Sequence, residues 1–143
     1  MKKLVITLIL MCTLILTGCE KNRLVCTLED ESIKDIKSKI EYTFKFNEEN
    51  VKEVVMTTKI TLTGDYNDVV FIDTYVEMAN TAAATYNKIE GATATVSNDK
   101  NVITLKVEMS AAAMSNEDKK TYGLDLTKDN LKKDLEEAGY TCK

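Results

Sequence analysis

The chain has 143 residues, with 19 basic and 23 acidic side chains and a formal net charge of −4. This acidic balance argues against nucleic acid as a partner, because nucleic-acid-binding domains carry an excess of lysine and arginine. The chain also has no histidine, the commonest general base near neutral pH and the commonest metal ligand, so we expect no metal and no cofactor.

The first predicted element is an export signal over residues 1–18. Two lysines precede an apolar run from Leu4 to Leu16, and small residues follow before Cys19. As a helix, this run would extend about 20 Å, well short of the ~30 Å hydrocarbon core of a bilayer. The pattern therefore favours a cleaved signal peptide over a permanent membrane span.

Leu16-Thr17-Gly18-Cys19 resembles the lipobox of bacterial lipoproteins, in which a leucine and two small residues precede an obligatory cysteine. The resemblance implies that Cys19 receives a diacylglyceryl thioether, that residues 1–18 are removed, and that Cys19 becomes the first mature residue. We expect an exported protein anchored in the lipid bilayer. It would lie on the outer face of the bacterial cytoplasmic membrane, or in the outer membrane of a host with two membranes.

The residues that remain after cleavage are enough for one domain and too few for two. Residues 19–23 are predicted to form the lipid anchor and a short tether, and residues 24–143 a single domain. Because the removed signal contains two lysines and no acidic residue, its loss changes the net charge from −4 to −6. Glu29, Asp30 and Glu31 are interpreted as a solvated turn rather than a cation site.

Two cysteines, Cys26 and Cys142, lie near opposite ends of the predicted domain. Cys12 belongs to the signal and Cys19 is the expected lipid attachment point. Outside the cytosol the remaining pair most simply forms one disulfide, with free or intermolecular thiols as the alternative. The closed loop would hold about 117 residues, for which the chain-entropy model gives roughly 5 kcal/mol.

Apolar residues at every second position predict an antiparallel sheet. Leu24, Cys26 and Leu28 share the inward face of a first strand. Residues 39–47 and 54–62 form a first hairpin around an acidic turn, with the conformation of residues 32–38 left open. Residues 92–96 and 103–109 form a second hairpin, so about five strands are expected.

A long amphipathic helix is predicted over residues 66–87, with Asp65 as its N-cap. Its apolar stripe, which would lie across the sheet, consists of Val69, Ile72, Val76, Ala79, Ala83 and Tyr86. A patch of alanines on the same helix could instead serve a partner helix. A short C-terminal helix is predicted after Thr127 and ends at Gly139. The expected fold class is therefore α+β, with an antiparallel sheet covered by one long helix.

The longest irregular stretch is residues 110–125. It is the first loop to test for a ligand, although a mobile surface loop is the simpler interpretation. Ser110 with Lys106, and Ser115 with Lys119, stand close in sequence, yet neither pair lies in a Ser-x-x-Lys motif. We therefore expect no enzymatic activity and no catalytic residue.

Four segments carry a family resemblance, namely residues 44–63, 86–92, 101–109 and 131–140. In this order they resemble the YehR-like family of small bacterial lipoproteins. The resemblance covers nearly the whole mature domain and implies a lipid-anchored α+β domain on the cell envelope, in a family without an established activity. It carries over one functional residue, the lipidated Cys19, and the pair Cys26 and Cys142 departs from the family pattern.

These observations leave two classes of function. The first is a non-catalytic binding module for a peptide, a small ligand or an envelope protein. The alternative is a structural or assembly accessory of a membrane complex, with the alanine-rich helix or a sheet edge as its contact. We expect the first.

The predicted lipid anchor is tested by the substitution Cys19→Ala. We expect this variant to remain unlipidated and to keep residues 1–18, because the thioether on the cysteine precedes cleavage. Mass spectrometry of the membrane-associated protein measures both properties, with wild type as the control. A mature N-terminus at any residue other than Cys19 would contradict the assignment.

Overall fold

The computed structural model describes residues 22–143, so the predicted signal peptide and Cys19 lie outside the described residues. In this part of the chain, strands β1–β6 cover Arg23–Asp30, Ile36–Asn47, Asn50–Leu62, Ala92–Asp99, Val102–Ser110 and Thr141–Cys142. Helices α1–α3 cover Val69–Tyr86, Asn116–Thr121 and Lys128–Glu137, and a 3-10 turn covers Gly64–Tyr66.

The strands form one antiparallel sheet in the order β4-β5-β3-β2-β1-β6. The predicted α+β class is confirmed, and both predicted hairpins are present as β2–β3 and β4–β5. The sheet has six strands rather than about five, because the last residues of the chain pair with β1 as the two-residue strand β6. Strand β2 begins at Ile36, three residues before its predicted start.

Only one face of the sheet is buried. Its inward side chains form most of the core and include Leu24, Phe44, Val54, Met56, Val107 and Met109. The opposite face carries mainly threonine, lysine and glutamate. Helix α1 packs on β4 and β5, whereas α3 contacts β1 and β6. The two helices therefore cover opposite sides of the same sheet face.

A bulge keeps the β2–β3 hairpin in register with the core. Lys45 pairs with Glu53 and Phe46 pairs with Val51, which leaves Lys52 as the extra residue on β3. Val51 and Val54 are three positions apart and would otherwise point to opposite faces of a regular strand. With the bulge, both valines are buried.

Helix α1 begins three residues later than predicted, and its N-cap is Asp68 rather than Asp65. The Asp68 carboxylate accepts a hydrogen bond of 2.9 Å from the Val70 N–H, whereas Asp65 lies in the preceding 3-10 turn. Val69 was expected in the core stripe but is 69% exposed. Val69 is the first helical residue and lies outside the core. Ile72 and Val76, further along the stripe, pack against the core.

The stretch from Ser110 to Asp125 is more ordered than the sequence suggested. It contains helix α2, and Ala111, Met114 and Leu124 are buried. The expectation of an irregular surface loop is therefore wrong for this segment, because its apolar residues anchor it to the core at both ends. The predicted Thr127 N-cap of α3 is confirmed, since its hydroxyl accepts from the Asn130 N–H at 3.4 Å.

Cys26 and Cys142 are joined by a disulfide with a Cα–Cα distance of 4.1 Å. Cys26 is fully buried, and the two cysteines face each other across the β1–β6 pair. Two backbone hydrogen bonds between Val25 and Lys143, of 3.0 and 2.8 Å, extend the same pairing. The disulfide thus fixes the end of the chain to its first strand.

Replacing both cysteines with serine should lower the free energy of unfolding by about 2–5 kcal/mol, because the unfolded chain regains the entropy of a long open loop. Urea unfolding of wild type and the double variant measures the difference. Wild type treated with a reductant is the matched control and should behave like the variant. Equal stability of the oxidised protein and the variant would contradict the prediction.

Candidate functional site

An apolar groove lies between α1 and the inner face of the sheet. Strands β3 and β5 form its floor and α1 forms its wall, and its lining consists of Thr58, Ile60, Tyr75, Met78, Ala79, Ala82, Ile103 and Leu105. Its volume is about 190 Å³. Thr58 and Tyr75 supply the only polar side-chain atoms of the lining, so the groove suits an apolar group.

The groove exists because the two main helices leave the middle of the sheet partly uncovered. Helix α1 packs over β4 and β5, and α3 packs near β1. Between them the inward side chains Ile40, Thr58 and Ile60 remain half-buried. These positions carry apolar or β-branched residues on the core side of their strands without a complete cover.

Helix α1 carries a second apolar stripe beside its core stripe. Phe71, Tyr75, Met78 and Ala82 follow one another at spacings of four, three and four, which places them on one side of a helix. Met78 is 61% exposed and Phe71 is 43% exposed. The Tyr66 ring packs against the Phe71 ring with a centroid distance of 5.0 Å. Tyr75, Met78 and Ala82 of this stripe line the groove, and Phe71 and Met78 are exposed.

The charged side chains of α1 and of the residues just before it are all acidic. Residues 60–87 contain four acidic side chains, Asp65, Asp68, Asp73 and Glu77, and no lysine or arginine. Within residues 22–143, none of these four carboxylates lies in an ion pair. Other carboxylates of the domain are paired, for example Glu53 with Lys45 at 2.9 Å and Glu108 with Lys106 at 2.8 Å.

A cluster of tyrosines lies between α1 and the C-terminal segment. Tyr42 stands 5.7 Å from Tyr140 between ring centroids, and Tyr86 stands 6.1 Å from Tyr122. Burial, helped by Tyr140 and Tyr86, raises the pKa of Tyr42 to about 12. Burial also raises the pKa of Tyr86. Both phenols are therefore neutral near pH 7, and the cluster is a packing element.

Glu29 and Asp30, predicted to lie in a solvated turn, are the last two residues of β1, and Glu31 follows the strand. Glu29 pairs with Lys39 at 3.1 Å and Glu31 pairs with Lys37 at 3.0 Å. Asp30 accepts a hydrogen bond from the Ser32 N–H, which lowers the pKa of its carboxyl group. Within residues 22–143, no three metal-ligating side chains are grouped to hold an ion.

The serine and lysine pairs considered from the sequence have other partners. The Ser115 hydroxyl accepts from the Asp118 N–H at 3.0 Å and donates to the Asp118 carboxylate at 2.6 Å, so it caps α2. Lys106 forms an ion pair with Glu108. One residue of each pair is therefore engaged in another contact.

Two larger depressions are open and charged. One, of about 390 Å³, follows α3 and is lined by Asp129, Lys132, Lys133, Glu136 and Glu137. The other, of about 330 Å³, is lined by residues that include Lys45, Glu53 and Glu108. Their charged side chains largely pair with one another. The smaller groove beside α1 is the better candidate because three elements, β3, β5 and α1, line it with mainly apolar groups.

The fold matches two solved structures. An NMR structure of Escherichia coli YehR matches with a TM-score of 0.55 and 14% sequence identity, over 82% of this chain and 88% of that chain. An NMR structure of a protein from Streptococcus pneumoniae TIGR4 matches with a TM-score of 0.54 and 9% identity, over 85% of each chain. The chain has a YehR-like fold.

The resemblance inferred from the sequence thus holds at the level of the fold. No protein-family model matches the chain, and the search of curated proteins returned no match. At 9–14% sequence identity, the match shows the fold and assigns no function to individual residues. The candidate site is therefore identified from the geometry described above. Within residues 22–143, no helix is long and apolar enough to cross a bilayer.

The sequence contained a signal for the groove that the helix prediction did not use. The residues Phe71, Tyr75 and Met78 repeat at helical spacing directly beside Ile72, Val76 and Ala79. A surface helix of a globular protein normally has one apolar stripe and a polar opposite face. Two adjacent stripes on one helix indicate more apolar surface than a single sheet contact needs.

The raised pKa of Tyr42 predicts alkaline destabilisation. The unfolded phenol loses its proton near pH 10, whereas the folded one keeps it to about pH 12. The contribution of the neutral Tyr42 phenol to the free energy of unfolding is therefore fully present below pH 10 and is lost as the pH rises towards 12. Urea unfolding at pH 9–12 should show a steeper loss for wild type than for Tyr42→Phe. Parallel curves for the two proteins would contradict the prediction.

Proposed function

We propose that this protein is a lipid-anchored binding module of the cell envelope, which takes a protein or peptide partner in the groove beside α1 and performs no chemistry on it. The export signal and lipobox-like segment support the location. The disulfide supports it as well, because such bonds are typical of proteins outside the reducing cytosol.

The observation that carries this proposal is the uncovered apolar surface of α1 and the groove beneath it. Exposed apolar surface next to a concave site is typical of interaction sites. The groove volume of about 190 Å³ is below the roughly 300–1,000 Å³ of small-molecule pockets. The size therefore favours side chains of a partner over a separate small ligand.

The alternative function, a structural accessory of a membrane complex, would use the alanines of α1 or a sheet edge. Ala79, Ala82 and Ala83 face the sheet and pack against the core. At the edge strand β4, the Asn87 side chain makes two hydrogen bonds to the backbone of Ala94, of 3.0 and 2.7 Å. These alanines and the Ala94 backbone thus have contacts within the domain, whereas Phe71 and Met78 are exposed, which favours the binding module.

A photo-crosslinking amino acid at position 78 tests the proposal in living cells. We expect a discrete crosslinked product between this position and a second protein, because Met78 borders the groove and is exposed. The matched control is the same amino acid at Lys133, an exposed position on α3. Identical products from both positions, or none from position 78, would refute the proposed binding site.

A further inference from the structure

The size of the groove limits how a partner can use it. A dry cavity of about 150 Å³ in a protein holds one benzene molecule, so the groove of about 190 Å³ holds one aromatic or branched aliphatic side chain. The rest of the contact must lie outside the groove, over the exposed side of α1. That side presents Val70, Phe71, Thr74, Glu77 and Met78.

The exposed side of α1 combines apolar side chains with negative charge that has no internal counterion. Glu77 is the neighbour of Met78 in the chain, and Asp73 lies one helical turn before Glu77, about 140° around the helix from Met78. Both carboxylates are exposed, and neither is paired within the described residues. Complementary charge on the partner would therefore be lysine or arginine.

The same charge disfavours two other occupants. A second copy would bring an equal set of carboxylates against this face, since residues 60–87 contain four acidic and no basic side chains. An anionic leaflet would be repelled for the same reason. The acidic surface thus discriminates against self-association and against the bilayer.

The position of α1 relative to the chain entry also points away from the membrane. Asn22 accepts a hydrogen bond from the Phe46 N–H, so the chain enters the sheet beside the β2–β3 turn. Helix α1 begins after the far end of β3, a strand of 13 residues that extends about 40 Å. With Cys19 only three residues before Asn22, the first turn of α1 would face away from the anchored end.

We infer that the occupant of this face is a cationic protein segment. It inserts one bulky apolar side chain into the groove beside Met78, and it places lysine or arginine side chains against Asp73 and Glu77. This inference rests on the proposed function and adds to it the chemical class of the partner.

The test is a selection from a yeast-displayed library of random 12-residue peptides on the mature, lipidated protein in phosphatidylcholine nanodiscs. We expect the enriched peptides to carry net positive charge together with at least one phenylalanine, tryptophan, leucine or isoleucine. Their affinity for wild type should exceed that for the double variant Asp73→Lys/Glu77→Lys by about tenfold or more.

Two further variants separate the apolar contact from general attraction between charges. Met78→Arg should also weaken binding about tenfold, because it fills the mouth of the groove with a cation. The matched control Glu49→Lys reverses an exposed charge in the β2–β3 turn and should change the affinity less than about twofold. Retained circular dichroism and the Cys26–Cys142 bond show that each variant is folded.

Enriched peptides that are neutral or acidic would overturn the inference, as would equal loss of binding in Glu49→Lys. A wild-type dimer in sedimentation experiments that Met78→Arg dissociates would assign the face to a second copy and would also overturn it. A crosslink at position 78 in cells, combined with a selection that enriches no peptide, would leave the proposed function standing and refute the cationic partner.

Discussion

The burial of one sheet face governs the architecture of this domain. Six strands at a spacing of about 4.8 Å make a face roughly 24 Å across, whereas a helix is about 10 Å wide. Helix α1 covers the β4–β5 side, and α3, with ten residues, reaches only about 15 Å along the other. The inner face of the sheet is too wide for these two helices to cover. The groove beside α1 lies where the face remains uncovered.

The outer face of the sheet and the surface of α1 differ in how their exposed charged side chains are paired. On the outer face, lysine and glutamate pairs such as Lys39–Glu29 and Lys45–Glu53 keep the surface polar. Around α1 the apolar stripe stays open and its carboxylates have no counterions within residues 22–143. Since surface pairs contribute little to stability, this contrast bears on recognition more than on folding.

Period-two alternation was sufficient to predict β1, both hairpins and the inward face of Cys26, because a strand has only two sides. The N-cap of α1 was harder to assign, since Asp65 and Asp68 are both suitable N-cap residues and the helix uses the second. The conformation of residues 110–125 could not be predicted from local sequence, because Met114 and Leu124 are buried in a core formed by strands distant in the chain. The second apolar stripe of α1 was visible in the sequence, but the position of the groove was not, because it depends on where the helices lie across the sheet.

Asn87 has a consequence for the exposed edge of the sheet. Its amide makes the two hydrogen bonds that a neighbouring strand would make with Ala94 at the margin of the sheet. A strand with free backbone groups at the edge of a sheet can pair with a strand of another molecule. At Ala94 the asparagine side chain occupies the backbone groups that such a strand would need, so it blocks edge-to-edge pairing at this position.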